Sequence, residues 1–338
     1  MRRLFPGVLL GLALLAQDGG PYKVVKTAKV GGAGGFDYVY ADVAGRRLYI
    51  PRTGPNSRVT VFNLDTLDSA GEISNVNARG AAVDPKSGHG FASSKPVAMW
   101  DAKTLAPIKT IDVEGNPDGI MYDPFNARVW VFSHRAPHAT VINAADGTVV
   151  GTLDLGGAPE QAASDGKGRI YVDIEDKDNI AVVDAKELKV ITHYELGGKG
   201  GVCAGLAMDV KNRLLFAACR NPQNMVVLEA DTGKILEALP IGRGTDGAVF
   251  NASTMEAFSS QGDGTLTVVK ENSPTSFAVE QTVQTMSGAK TLTLDSKTGR
   301  VLLIAAEYGA PTAPPKEGGR AGRGPMVDGS FSILAVGK

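Results

Sequence analysis

The chain has 338 residues, of which 43 % are hydrophobic and 21 % charged, and its formal net charge is −1. That balance excludes a disordered polyelectrolyte, and the absence of a basic surplus argues against nucleic acid as a partner. With 42 glycines and 18 prolines, the sequence calls for many tight turns in place of long helices.

The first segment, "MRRLFPGVLLGLALLAQDGG", sets Arg2 and Arg3 ahead of an apolar run from Leu4 to Ala16 that Pro6, Gly7 and Gly11 interrupt. This is the layout of a secretory signal peptide, and the run is short for a spanning helix. A buried first helix is the competing reading. Cleavage is expected near residues 16–20, and no cysteine follows to carry a lipid anchor. No later segment is apolar enough to span a membrane. Without Arg2 and Arg3 the remaining 33 basic and 36 acidic residues give a net charge of about −3. The expectation is an exported protein, periplasmic or secreted, with residues 1–20 as signal and 21–338 as one domain.

From residue 36 onward one phrase keeps returning: a short apolar stretch runs into an aspartate, a turn follows, and a second apolar stretch leaves it. The aspartates are Asp42, Asp84, Asp123, Asp165, Asp209 and Asp295, with Asn251 in the sixth copy, at separations of 42, 39, 42, 44, 42 and 44 residues. A carboxylate suits that turn because it accepts hydrogen bonds from backbone N–H groups just downstream. Each unit holds four strand-like stretches; in the fourth these include "RIYV" 169–172, "IAVVD" 180–184 and "VITHYEL" 190–196. No helical period persists. Four antiparallel strands in about 42 residues describe a propeller blade, so the pattern predicts an all-β, seven-bladed β-propeller.

The seventh unit stops after its third strand, "FSILAV", while "YKVVKTAKVG" 22–31 stands before the first unit as a spare fourth strand. The two are expected to pair and close the ring, which leaves no open sheet edge. The recurring wording, clearest in "GRIYVDIEDKDNIAVVDAKELKVITHYELGG" 168–198, resembles the YVTN-type β-propeller repeat family, including exported YncE-like proteins. The resemblance implies a location in a bacterial or archaeal cell envelope and implies little chemistry, because its motif consists of strand and turn residues. The first unit departs from it with "GGAGGFDYVYAD", the sixth with Asn251 and the seventh with an insertion.

Function therefore rests on what the scaffold carries. First strands line a propeller's channel, so equivalent positions near their starts form a ring. Five residues before each anchor stand Asp37, Arg79, Asp118, Glu160, Ala204, Asp246 and Lys290. One residue further come Tyr38, Gly80, Gly119, Gln161, Gly205, Gly247 and Thr291. One reading is an ordinary wet channel with charges paired across it. The other is a binding mouth made of Asp37, Tyr38, Arg79, Asp118, Glu160, Gln161, Asp246 and Lys290 for a small polar ligand. A divalent cation such as calcium would draw on Asp37, Asp118, Glu160 and Asp246, whose mutual repulsion should raise some of their pKa values.

Other signals are thin. His134 and His138 in "HRAPH" sit four apart with no evident third ligand, on a loop expected at the rim. His193 falls on an outer strand and His89 in an exposed turn. No HExxH, CxxCH, Walker A or GxSxG pattern occurs, and "GGAGG" 31–35 lacks the helix a dinucleotide site needs. The insertion 306–329 has four prolines and Lys316, Arg320 and Arg323; it reads either as a plain excursion or as a lid over the mouth. Cys203 and Cys219 lie at equal distances on either side of Lys211, which puts them opposite each other across a hairpin and predicts a disulfide. The expected role is a monomeric binding or scaffold protein, taking a small polar ligand at the mouth or a protein at the rim. The alternative is a metal-dependent, lactonase-like hydrolase with Glu160 or Asp118 as base.

Overall fold

The turn aspartates act as their position predicts. In the computed structural model, Asp84 accepts bonds from the N–H groups of Lys86 and Ser87 at 2.9 and 3.2 Å. Asp165 and Asp209 do the same for Lys167 and Lys211. Each turn reverses the chain into an antiparallel meander, and each repeat becomes a four-stranded sheet. The structure describes residues 20–311 and 324–338. The expected signal segment, apart from Gly20, and the basic residues of the insertion lie outside them.

The seven sheets are the seven blades. Their first strands are Tyr40–Asp42, Ala81–Asp84, Pro117–Asp123, Pro159–Ser164, Cys203–Asp209, Thr245–Asn251 and Leu292–Asp295. The only helical element among the described residues is the single turn Glu175–Lys177, and no helix there is long and apolar enough to cross a membrane.

Second strands read as continuous apolar runs because both of their faces are covered. In Arg47–Arg52, Leu48 and Ile50 pack against Leu302, Ile304 and Phe331 of blade 7. Tyr49, pointing the other way, packs with Ala92 and Trp100 of blade 2. A blade thus has no core of its own; the cores lie between neighbouring blades.

Closure follows the expected arrangement. Lys23–Lys29 pairs antiparallel with Ser332–Gly337, from Lys23 opposite Gly337 to Lys29 opposite Ser332, and completes the blade begun by Leu292–Asp295. Tyr22 is buried, its ring 5.2 Å from Phe258 in an edge-on contact. The chain is a seven-bladed β-propeller.

Cys203 lies opposite Cys219 in the ladder of blade 5, and the two form a disulfide. The base of the insertion is a short ladder in which the Gly309 N–H donates to Pro325 and the Val327 N–H to Glu307.

Candidate functional site

Blade packing puts the first strands close together around the axis, and glycine makes that approach possible. A Cβ on Gly205 would lie 2.5 Å from the backbone of Gly247, and one on Gly247 would lie 2.7 Å from Leu292. The ladders of blades 3, 4, 5 and 6 each break register at the channel positions, between Pro117 and Ile120, Pro159 and Ala162, Cys203 and Gly205, and Thr245 and Ala248. Such bulges re-aim side chains.

Charges at the mouth form a connected network. Arg79 joins Asp37 at 2.9 Å and Asp118 at 3.5 Å. Lys290 joins Asp37 at 3.5 Å and also binds Asp246. Asp246 in turn is held by Arg220, which reaches Glu175 at 2.6 Å. On the other side His134 Nε2 lies 3.1 Å from Asp118 and 3.5 Å from Glu160. Six of the sequence-predicted residues therefore meet at one mouth, but not around one point. Asp37 and Asp246 share Lys290, whereas Asp118 and Glu160 share His134.

Two neighbouring residues tie blades together across the axis. The Tyr38 hydroxyl donates to Glu160 Oε2 at 3.0 Å, from blade 1 to blade 4. Gln161 accepts from the N–H groups of Leu206 and Ala248 and donates to the Ala248 carbonyl. A cavity of about 240 Å³ is lined by these residues, Tyr38, Glu160 and Gln161, together with Tyr40, Met121, Tyr122 and Val249. Beside the mouth, between blades 1, 2 and 3, lies a groove of about 540 Å³ edged by Asp37, Arg79, Asn75, Asn77, Lys95 and Asn116.

Burial does more than repulsion to set the protonation states. It lifts the Glu160 carboxyl to about 7, with Glu175 and Asp246 adding to it against the pull of His134. Asp118 is raised mainly by burial, with Asp37 second. The contact with Glu160, followed by the field of Asp118, holds His134 at about 9 against its own desolvation. Burial works against the charges of Lys290 and Arg220, but their carboxylate partners outweigh it and both are raised. Tyr38 is pushed well up by burial and then by Glu160.

Sequence reasoning missed Glu175 and Arg220, and it placed His134 at the rim. The loop of His134 does not stay at the rim: Ser133 Oγ accepts from the N–H groups of Asn116 and Arg135, and the loop folds inward. His138 is elsewhere, bonded to Asp154 at 2.6 Å. His89 also departs from expectation, since it begins a strand and its Nδ1 lies 2.9 Å from the Ala144 carbonyl of the next blade. A countable signal for the missed residues exists. Eleven residues after the anchors stand Thr53, Lys95, His134, Arg220, Gly262 and Ala306, with Glu175 at ten because its turn is one residue shorter. All but Lys95, which stands three residues beyond Ala92, directly follow their second strands, and His134, Glu175 and Arg220 among them reach the mouth.

Asp173 was also missed. It is fully buried on the second strand of blade 4, and neither carboxylate oxygen has a hydrogen-bond partner. Burial, and then the charge of Glu160, pushes its pKa well above the carboxylate range.

No family model and no curated protein matches the chain. Solved structures do: a chain of the structure described as "Crystal Structure of Mitotic Checkpoint Complex" superposes with a TM-score of 0.70 at 10 % identity, covering 90 % of this chain and 95 % of that one. At that identity the likeness concerns the fold alone. The YVTN-type resemblance gains no family match, although the propeller it implies is present.

Proposed function

We propose that the channel mouth is a binding site for a small polar ligand and that it recognises anionic groups. The observation that carries this reading is the layering of charge. Side-chain exposure is 18 % for Asp37, 11 % for Asp118, 10 % for Glu160 and 9 % for Asp246. The bases stand out at 51 % for Arg79, 31 % for Lys290 and 30 % for Arg220. A solute arriving from water meets N–H donors first, and the acids behind hold those donors in place. Guanidinium forks match carboxylate and phosphate oxygens. The adjoining groove gives room for the rest of a ligand.

The signal-like first segment and the YVTN-type wording support an exported binding role. Calcium is the weaker choice of cation, because it needs six to eight oxygens and Asp37 and Asp246 are already engaged by Lys290 and Arg220. A second reading, metal-dependent hydrolysis, is favoured by one feature, the approach of Asp118, His134 and Glu160 to one another.

The test is calorimetry at fixed ionic strength with inorganic phosphate, citrate, neutral sugars and amines. Anions should bind, and Arg79→Ala should weaken them at least about tenfold, a loss of roughly 1.4 kcal/mol, with near-ultraviolet circular dichroism unchanged. Preference for amines or sugars, or anion binding indifferent to Arg79→Ala, would reject the reading.

A further inference from the structure

We propose that Asp118, His134 and Glu160 form a site for a first-row divalent transition-metal ion of the Zn²⁺ type. The argument is geometric first. One donor atom from each of the three lies within 4.8 Å of the other two, and His134 Nε2 is 3.1 Å from Asp118 Oδ2 and 3.5 Å from Glu160 Oε1. Ligands about 2.0–2.1 Å from a tetrahedral Zn²⁺ stand roughly 3.3 Å from one another. The two observed separations bracket that value.

The remaining oxygens support the assignment. Glu160 turns Oε2 away from His134 and receives the Tyr38 hydroxyl on it. Asp118 turns Oδ1 toward Arg79 Nε at 3.5 Å. Each carboxylate therefore offers one oxygen to the common point and has the other steered by a neighbour, as outer-shell partners orient metal ligands.

Charge gives an independent indication. Five carboxylates, Asp37, Asp118, Glu160, Glu175 and Asp246, face three permanent cations, Arg79, Arg220 and Lys290, in one connected network. The protonated His134 is a fourth cation and leaves a deficit of one charge; a divalent ion would take the place of that proton and supply the rest. An imidazole with two carboxylates is a nitrogen–oxygen donor set that suits Zn²⁺ and its neighbours better than Ca²⁺ or Mg²⁺. The backbone explains why the three converge. Asp118 and Glu160 occupy the same bulged position on adjacent first strands, and His134 follows the second strand of blade 3, the blade that carries Asp118. Three protein ligands leave a further coordination position, which would face the mouth, where the His134 side chain is 36 % exposed. The site stands apart from the anion reading because its donors are the acids beneath the bases.

Protein stripped by chelator dialysis is titrated with Co²⁺, whose visible absorption reports coordination, and then with Zn²⁺ and Ca²⁺ in competition. One equivalent of Co²⁺ should bind and be displaced by Zn²⁺ but not by an equal concentration of Ca²⁺. His134→Ala and Glu160→Gln should each weaken binding at least about 100-fold, while His138→Ala leaves it unchanged. Lys290→Ala, whose carboxylate partners Asp37 and Asp246 are not among the three ligands, should keep the metal while weakening anion binding, which keeps the two proposals separable. Absence of saturable Co²⁺ and Zn²⁺ binding, displacement by Ca²⁺ as ready as by Zn²⁺, or dependence on His138 in place of His134 would each overturn the assignment.

Discussion

Arg46, in the turn of blade 1, holds the carboxylate of Asp295, in the turn of blade 7, through two parallel hydrogen bonds of 2.7 Å each. Asp295 is the seventh copy of the repeated turn residue, and Arg46 stands four residues after the first. The same device links blades 5 and 4, where Arg213, four residues after Asp209, reaches Asp165 at 2.8 Å. The repeated aspartate thus fixes its own turn and can also tie its blade to the next. At Arg46 that tie bridges the two ends of the ring.

Burial works to raise the Asp295 pKa, but the bonds from Arg46 and Thr298 outweigh it, and the folded value lies below the ordinary one. A depressed folded pKa gives stability that is present above the unfolded carboxylate's value of about 3.9 and is lost as pH falls through the folded value. Arg46→Ala should cost about 1.5–3 kcal/mol at pH 7, the range for hydrogen bonds to charged groups. Its difference from the parent in urea unfolding should narrow below about pH 4. An equal difference at neutral and acid pH would show that the pair does not act through charge.

The closing strand makes a second prediction. Lys23–Lys29 is mostly exposed on its outer side, so its contribution comes from its ladder and from Tyr22. Besides packing on Phe258, Tyr22 donates to Glu256, which Lys338 also reaches at 3.1 Å. Deleting residues 22–30 should cost at least about 3 kcal/mol, the order seen when a buried aromatic side chain is removed, and should broaden the unfolding transition. A truncated chain with the parent melting temperature and cooperativity would mean that the ring does not depend on this strand.

Fold and site were legible to different depths for a physical reason. The period of the anchors, the missing fourth strand after "FSILAV" and the spare strand at 22–31 are properties of backbone pairing, which recur in every blade and so repeat in the sequence. Counting five residues back from each anchor found Asp118 and Glu160 because channel position is also a backbone property. His134, Glu175 and Arg220 obey an equally regular offset, but they lie on loops whose direction is set by local bonds, such as those to Ser133 Oγ. No period in the sequence announces that a loop turns inward. The cause of the raised carboxyl pKa values was likewise hidden, since repulsion can be inferred from composition while burial requires the packed mouth.

The cysteines offer a test that does not depend on any ligand. Both are buried and joined across one hairpin of blade 5, at a sequence separation of 16. Closing a loop of that length is worth about 3 kcal/mol in the chain-entropy account. Reduction, or Cys219→Ser, should therefore lower the melting temperature. Mass spectrometry of protein made in an oxidising compartment should find a peptide linking 203 to 219. Two freely alkylated thiols in that protein would contradict the pairing.

Asp173 should be a place where stability has been given up. At the equivalent position, nine residues after the anchor, blades 2 and 6 carry Ser93, just past the strand His89–Ala92, and Ser260. Ser93 Oγ donates to the Asp118 carbonyl, and Ser260 Oγ donates to that of Lys290 at 2.6 Å. In both cases a small donor satisfies the channel residue of the following blade. Blade 4 places a carboxyl there, fully buried and without a hydrogen-bond partner on either oxygen. An unsatisfied buried polar group costs about 1–3 kcal/mol. Asp173→Ser installs the donor used by the sister blades and removes the unpartnered acid, so it should stabilise the protein by an amount of that order. The sign of its pH dependence is opposite to that of Asp295. A folded pKa raised by burial makes the parent progressively less stable as pH climbs above about 4, so the advantage of the variant should be larger at pH 7 than at pH 3, where only the missing hydrogen bonds of the protonated carboxyl remain. Urea unfolding of parent and variant at the two pH values measures both quantities. A variant less stable than the parent at pH 7 would show that Asp173 has a stabilising partner and that its burial is compensated.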